Sequence, residues 1–400
     1  MSEDTTNPIK REYIDGATAI ARGAIDAGCT FFAGYPITPA TPILLHMVRE
    51  LPKVGGVAIE VEDEIAAISM CIGATFAGAR AMTATSGPGM SLYSENIGLA
   101  VMAEVPLVIV DAQRMGPATG GATTGAQGDI QFLRWGTSGG YPLIVLAPSS
   151  VAECYTLTMR AFDLAERFRV PVILATDKEM VMSRATVDIR EYERVPVRER
   201  RLAPVPPPGY RDPRWREEET FLPWDFDPVD AVPPMAHYGG PHILRVTTSS
   251  HDEHGFLTKD PAKVGRLNEH LWRKVMDHRE ETEFARYEPH ESADTLVISY
   301  GTPARAVREA ARTLVDSGHP VNVLILHTLW PVPEGILTLA LRDMRRVVVA
   351  ELNPGLYTRE IERIAYRLAA LEGRRAPQIV GVHRIDGEPI APEQIVEACK

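Results

Sequence analysis

The strongest constraint on this chain is a rhythm: short apolar runs alternate with longer amphipathic stretches over the first 190 residues. Thr30–Ala33, Val57–Glu60, Ala81–Thr85, Pro106–Asp111, Leu143–Leu146 and Val172–Thr176 are short blocks bounded by polar or turn-forming residues, which predicts buried strands. Between them, Ala17–Asp26, Ala40–Leu51, Glu62–Gly78, Met90–Ala103 and Ser150–Phe168 place alanines and aliphatics three and four residues apart, the period of a helix with one buried face. Units of this kind pack as a parallel sheet covered by helices, with right-handed crossovers. An α/β domain over residues 1–190 follows. From residue 244 the rhythm returns, with strands expected at Thr295–Tyr300, Val321–Leu326, Arg346–Glu351 and Gln378–Val382 and helices at Pro303–Asp316, Pro333–Leu341 and Thr358–Leu371. Residues 244–400 therefore read as a second α/β domain.

Residues 191–243 interrupt this pattern with the charged run Arg190–Arg201, the stretch VPPPG and the segment DPVDAVPPM. Proline and charge at that density indicate a linker, but Trp215, Phe221, Trp224 and Phe226 need something to pack on. An ordered crossover draped over a neighbouring domain or subunit satisfies both.

Charge and cysteine usage narrow the function. A net charge of −11 argues against nucleic acid, which is bound through concentrated Lys and Arg. Apolar runs such as Leu99–Val110 are too short to span a bilayer, and Glu104 interrupts that one. The first twenty residues lack an apolar core, so no signal peptide, no membrane and a cytoplasmic location are expected. Cys29, Cys71, Cys154 and Cys399 are scattered and form no C-x-x-C, so no metal or cluster held by this chain alone is expected.

Four segments have the means for chemistry, and three follow strands of the first domain, where an open parallel sheet borders its binding crevice. In GYPITPATP (34–42) prolines stiffen a loop that carries the hydroxyls of Thr38 and Thr41; Thr41 and Pro42 suit the cap and first turn of the next helix. In VEDEIAAI, Glu64 opens a helix, where the dipole alone accounts for acids. TSGPG (85–89) is a tight turn with Leu92 where a dinucleotide fingerprint needs its third glycine, which disfavours a nicotinamide site. Arg114 directly follows a buried strand and opens the Gly/Thr loop Gln113–Gly128, a setting in which an arginine usually holds an anion. SHDEHG (250–255) invites a metal reading through His251 and His254, but a structural turn is the better one.

Together these segments resemble the α subunits of the 2-oxoacid:ferredoxin (acceptor) oxidoreductases. GYPITPATP, Glu64 with Gly73 nine residues on, ATSGPG and the Arg114 loop ending in QGD appear in order, followed by VPPM (232–235), SHDEHG, YGTPAR (300–305) and LWPVPE (329–334). The resemblance implies a pyrimidine-type domain of thiamine diphosphate enzymes joined to a transketolase-C-terminal-like domain. It implies oxidative decarboxylation of a 2-oxo acid with coenzyme A, giving acyl-CoA and carbon dioxide, with electrons passing through iron–sulfur clusters to ferredoxin or an NAD-reducing subunit. It further implies a β subunit that carries the diphosphate domain, Mg2+ and a 4Fe-4S cluster, and γ/δ-type subunits for CoA and electron transfer. A non-redox thiamine-dependent decarboxylase or transferase and a non-catalytic assembly subunit are the competing readings.

At residue level the resemblance makes Glu64 the carboxylate that shares a proton with the pyrimidine ring, with Pro36, Ser86 and Gly87 beside the cofactor. It gives Thr38 and Arg114 the substrate's 1-carboxylate, and adds Thr123 and Thr124 to the substrate side. Family members acting on 2-oxoglutarate are expected to carry a basic residue after the arginine loop, whereas residues 120–126 here read GGATTGA. Because a distal carboxylate without a cation is costly to bury, the loop favours a 2-oxo acid with an uncharged side chain, phenylglyoxylate or pyruvate-like. Specificity for 2-oxoglutarate stays open if the β subunit supplies the charge.

Overall fold

The computed structural model describes residues 10–205 and 221–400, and the counts below are of those residues. Trp215 and all of VPPPG after Val205 lie outside them. The chain runs β1 (Arg11–Asp15), α1 (Gly16–Asp26), β2 (Phe31–Gly34), α2 (Thr41–Glu50), β3 (Val57–Glu60), α3 (Glu64–Phe76), β4 (Ala81–Thr85), α4 (Gly87–Met102) and β5 (Leu107–Gln113). Next come α5 (Ile130–Trp135), β6 (Ile144–Leu146), α6 (Val151–Phe168), β7 (Pro171–Asp177), α7 (Lys178–Met182) and β8 (Arg184–Asp188). After the crossover follow α8 (Pro261–Met276), β9 (Ala285–Glu288), β10 (Thr295–Ser299), α9 (Ala304–Asp316), β11 (Asn322–Leu326) and β12 (Thr328–Trp330). The chain closes with α10 (Glu334–Leu341), β13 (Arg346–Glu351), α11 (Thr358–Glu372), β14 (Gln378–His383) and α12 (Pro392–Cys399).

Seven strands form the first sheet in the order β12-β6-β7-β5-β4-β2-β3. Its centre is parallel: β5 and β7 are buried along their whole length and pair from Leu107 opposite Pro171 to Gln113 opposite Asp177. Burial on both faces requires the continuous apolar runs that the sequence shows there. The second sheet, β14-β13-β10-β11-β9, is parallel except for its edge strand β9. On one face of the first sheet α1, α2 and α6 bury residues such as Ile20, Met47 and Phe162. On the other, Cys71, Tyr93 and Leu133 belong to a core that continues through Trp330 and Tyr357 into Ile298 and Val349 of the second sheet. The two α/β layers thus share one apolar core.

Several elements go beyond the sequence reading. The antiparallel ribbon β1–β8 packs before and after the first sheet's helices. Three-residue β12 leaves the second half of the chain to pair antiparallel with β6, Trp330 opposite Val145. Thr41 is not a cap but the first helical residue; Ala40 takes the N-cap position, and the Thr41 N–H already donates to the Ile37 carbonyl. No helix among the described residues is long and apolar enough to cross a membrane.

Helix α8 is the most informative addition. Its buried stripe contains His270 and Lys274 alongside Leu267, Leu271 and Val275. Both polar side chains reach Glu104, which is fully buried in the α4–β5 turn: Lys274 Nζ lies 2.8 Å and His270 Nε2 2.9 Å from Glu104 Oε2. Buried Arg169 donates to the Glu104 carbonyl at 3.2 Å and to the Pro233 carbonyl at 3.0 Å, while Lys274 also donates to the Arg169 carbonyl. This network ties two turns of the first sheet, the crossover and α8 together. Residues 261–276, which follow the point where the sequence rhythm resumes, therefore pack on the first sheet. Trp224 and Phe226 of the crossover are buried as well, Phe226 stacking on His270 at 3.8 Å between centroids.

Burial opposes the charge of Glu104, but Lys274, His270 and Arg169 outweigh it and hold the carboxyl well below the usual carboxylate range. Replacing Glu104 by Gln strands the Lys274 ammonium in the core, a loss of roughly 3–5 kcal/mol, read as a lower denaturant midpoint. A carboxyl depressed in the folded state stabilises fully above its unfolded value and loses that contribution as pH falls. The gap between wild type and Glu104→Gln should stay constant from about pH 7 to 5 and shrink below about pH 4.5.

Candidate active site

The C-terminal ends of β2, β4 and β5 face the second half of the chain, and the site is assembled there. Strand β4 ends at Thr85, and the chain turns through Ser86 into α4, whose first residues are Gly87, Pro88 and Gly89. A Cβ on Gly89 would collide with Thr85 Oγ1 and stand 2.8 Å from Cγ of Glu64. Only glycine lets Glu64 lie against this turn. The neighbouring acid Asp63 does the capping of α3, accepting from the Ala66 N–H at 2.7 Å. Glu64, relieved of that role, is 7% exposed on the first turn. Ser86 is fully buried, and its Oγ has no hydrogen-bond partner among the described residues.

Arg114 leaves the end of β5 and reaches the proline-stiffened loop: its Nη1 donates to the Thr38 carbonyl at 2.6 Å. The structure therefore brings Thr38 and Arg114 together, through the threonine carbonyl rather than its hydroxyl. Pro36 lies exposed on the same loop. Arg114 is only 6% exposed, yet its Nε has no partner among the described residues. A buried guanidinium N–H without an acceptor is costly unless a ligand supplies one.

The loop after Arg114 folds on itself. Met115 N–H donates to the Thr124 carbonyl at 2.9 Å and Gly121 N–H to the Met115 carbonyl at 2.8 Å. Gly120 takes a left-handed φ of +46°, and a Cβ there would strike the Met115 carbonyl. Thr124 packs beneath Gly387 of the second half, whereas Thr123 is exposed. Arg114, Gly87, Gly116, Asp129, Phe132 and Asn353 line one cleft of about 570 Å³ between the two halves. Glu64, Thr38 and Thr123 are outside its lining.

Residues that the sequence reading did not single out hold this arrangement. Gln127 N–H donates to the Leu352 carbonyl at 2.8 Å, its Oε1 accepts from Leu352 N–H at 3.1 Å, and its Nε2 donates to the Tyr300 carbonyl at 3.3 Å. Asn353 Nδ2 donates both to the Gln127 carbonyl and to Tyr300 Oη, which in turn donates to buried Glu351 at 2.8 Å. Thr302 Oγ1 donates to Asp177 at 2.6 Å. The motifs QGD and YGTPAR, far apart in the chain, meet at this seam; their presence was the only sequence signal for it.

Two carboxyls also meet here. Asp111 is fully buried near the end of β5, and Asp129, part-buried, sits just before α5 against Gly87. Burial and the neighbouring charge of Asp129 push Asp111 well above the usual carboxylate range. Burial also raises Asp129, to about 6, against the lowering effects of Arg114 and of a hydrogen bond from Asp111.

The SHDEHG segment forms a turn: Gly255 has φ +81° and its N–H donates to the Asp252 carbonyl at 2.9 Å. His251 is buried edge-on against Trp224, with Nδ1 3.1 Å from the Ser249 carbonyl. Among the described residues no three His, Cys, Asp or Glu side chains are placed to hold a metal ion.

Residues 22–269 match the family described as the thiamine-diphosphate-binding domain of pyruvate flavodoxin/ferredoxin oxidoreductases, and residues 293–395 match core domain II of pyruvate:ferredoxin oxidoreductase. The chain is 42% identical over 386 residues to the 2-oxoglutarate synthase subunit KorA of Methanothermobacter thermautotrophicus, covering 96% of each. It is 34% identical over 353 residues to the ketoisovalerate oxidoreductase subunit VorB of the same organism, covering 88% of each. The solved 2-oxoglutarate:ferredoxin oxidoreductase from Magnetococcus marinus, with 2-oxoglutarate, coenzyme A and succinyl-CoA bound, superposes with a TM-score of 0.82 at 30% identity, over 99% of this chain and 66% of that one.

The seam gives a direct test of the site's construction. Gln127→Ala strips the buried Leu352 N–H and Tyr300 carbonyl of their side-chain partner, a loss of roughly 2–4 kcal/mol, measurable by chemical denaturation. An unchanged midpoint would mean that Gln127 does not hold the halves together.

Proposed function

The chain belongs to the α subunits of the 2-oxoacid:ferredoxin oxidoreductases, and on that premise we propose that it builds the 2-oxo-acid side of an active site acting on 2-oxoglutarate. It is an oxidoreductase subunit of the CoA-acylating type. The observation that carries the reading is the buried Arg114, which lines a cleft between the two halves and whose Nε lacks an acceptor among the described residues. A carboxylate is the anion that a guanidinium fork holds best.

The residues present fit thiamine diphosphate. Glu64 lies on a turn that glycine keeps open, and Ser86 Oγ beside it is buried without a partner among the described residues. When bound, the cofactor supplies the carbanion chemistry of decarboxylation. Glu64 holds a proton at its carboxyl for the pyrimidine ring, and Ser86 and Gly87 border the same pocket. Arg114, braced by the Thr38 carbonyl, orients the substrate's 1-carboxylate so that the keto carbon is presented in one pose. Pro36 and Pro39 limit the motion of that brace. Thr123, being exposed, has the better access to substrate; Thr124 serves by holding the loop. In this reading a β subunit brings the diphosphate domain, Mg2+ and a 4Fe-4S cluster, coenzyme A is the co-substrate, and ferredoxin or an NAD-reducing subunit takes the electrons.

The expectation of phenylglyoxylate or another uncharged substrate gives way to 2-oxoglutarate, the compound named in the relatives with 42% and 30% identity. The physical reason is that residues 120–126 form a self-bonded turn under Gly387, so their lack of a cation does not describe the far end of the cleft.

The assembled complex should reduce a viologen dye in a CoA-dependent manner, with the highest kcat/KM for 2-oxoglutarate among 2-oxoglutarate, 2-oxoisovalerate, pyruvate and phenylglyoxylate. A tenfold preference for another acid would overturn the substrate; acyl transfer without dye reduction would overturn the redox role. Arg114→Ala should lower kcat/KM by about tenfold to a thousandfold in a complex that still assembles. Glu64→Gln should abolish turnover in a complex that still assembles, and near-normal activity would remove it from the mechanism.

A further inference from the structure

Between β13 and α11 the chain passes along the cleft without regular structure, and Leu352, Asn353 and Pro354 line it there. Such a segment is placed only by the bonds it makes to others. From the first half, Ala126, Gly128 and Asp129 line the same cleft. Asn353, 2% exposed, joins the two walls. Its Nδ2 donates to the Gln127 carbonyl at 2.9 Å in the first half and to Tyr300 Oη at 2.8 Å in the second. Its Oδ1 accepts from the N–H groups of Gly355 at 3.0 Å and Leu356 at 2.8 Å. Every donor and acceptor of the amide is engaged, so turning it over would leave buried groups unpaired.

The orientation of that amide is set one layer deeper. Glu351, the fully buried last residue of β13, accepts on Oε1 from the Thr358 N–H at 2.9 Å and the Thr358 hydroxyl at 2.6 Å. Its Oε2 accepts from the Tyr357 N–H at 3.1 Å and the Tyr300 hydroxyl at 2.8 Å. Two of these donors belong to the start of α11, where the helix dipole favours a carboxylate. Tyr300 has a single proton and gives it to Glu351, which leaves its lone pairs for the Asn353 amide. The direction of each bond from Glu351 through Tyr300 and Asn353 to Gln127 is therefore fixed.

We propose that Tyr300 is a positioning residue for substrate binding: its hydroxyl, directed by Glu351, holds the Asn353 amide as the spacer that sets the gap between the two walls of the cleft lined by Arg114. This rests on the reading of that cleft as the seat of the 2-oxo acid. Tyr300 is 1% exposed and no part of the lining, so it acts on the ligand only through Asn353. A residue that shapes the cleft alike for bound substrate and transition state shows itself in binding rather than in turnover.

The test uses N-oxalylglycine, an isostere of 2-oxoglutarate whose amide carbonyl resists attack, as a competitive inhibitor of the assembled complex. Tyr300→Phe keeps the ring and its edge-on packing against Tyr357 and removes only the hydroxyl. Its KI should rise roughly five- to thirtyfold, while kcat with 2-oxoglutarate stays within about twofold of wild type. Tyr357→Phe is the control: that ring is as deeply buried, but its Oη donates to the Leu329 carbonyl, which is not part of the cleft lining. It should lower stability to a similar extent and leave KI within about twofold of wild type. An unchanged KI in Tyr300→Phe, in a complex where Arg114→Ala weakens inhibition, would overturn the spacer and leave the anchor standing. An equal rise in Tyr357→Phe would overturn it too, since loosening of the core would then suffice. An Arg114→Ala variant with unchanged KI would overturn the anchor, and the spacer with it. If Tyr300→Phe does not assemble, Asn353→Ser, too short to bridge Gln127 and Tyr300, decides: a raised KI supports the spacer and an unchanged one overturns it.

Discussion

A guanidinium taken out of water at the end of a parallel strand needs acceptors on every side, and Arg114 has them on only some. Its Nη1 is given to the Thr38 carbonyl, which is why the loop after β2 is stiff and closely placed. Asp129 lines the same cleft, its N–H donating to Gln113 where the chain returns through QGD to the end of β5. The return is clamped from above by Leu352, Asn353 and Tyr300, so the second half of the chain is the roof of the site as well as a domain beside it. What remains is one buried N–H without an acceptor among the described residues. The architecture is consistent with a site whose last hydrogen bond belongs to a ligand.

The Glu104 cluster shows what the same physics does when no ligand is involved. There the charges of Lys274 and Arg169 are sealed in the interior around one carboxylate, and four segments of chain are drawn to it. Buried ion groups of this type contribute less to net stability than hydrophobic packing would, but they penalise every arrangement in which a member is missing. That suits a crossover which must be positioned across a large interface with few apolar residues of its own. One cluster lies wholly in the interior and organises the fold; the other borders a cleft.

The difference also explains what was legible in the sequence. The strands Ala81–Thr85 and Arg346–Glu351 coincide with the expected runs, because apolar blocks in a doubly covered sheet have nowhere else to go, and the partly exposed edge strand Val57–Glu60 coincides as well. Helix α8 was not expected, because its buried stripe includes His270 and Lys274, whose burial makes sense only beside Glu104, a residue read as a mere interruption of an apolar run. Strand β12 is three residues long and pairs with a strand far back in the chain, a contact no local pattern encodes. At the site, Glu64, Thr38 and Arg114 were named from their motifs; the structure brings Thr38 and Arg114 into contact and sets Glu64 against the Gly89 turn. Asp111, Gln127 and Asn353 escaped, since each looks ordinary until its partner from another element is present. The substrate expectation weighed the cations of one loop, while a cleft is lined by all the segments that meet around it.

The central claim is that the unpartnered Nε of Arg114 is the anchor of a 2-oxo-acid carboxylate. The most direct measurement is an experimental structure of the assembled complex with N-oxalylglycine bound. The account predicts the oxalyl carboxylate within about 2.7–3.2 Å of Arg114 Nε, as a charge-assisted hydrogen bond requires. An inhibitor seated with that carboxylate elsewhere, and Arg114 Nε still without an acceptor, would contradict it.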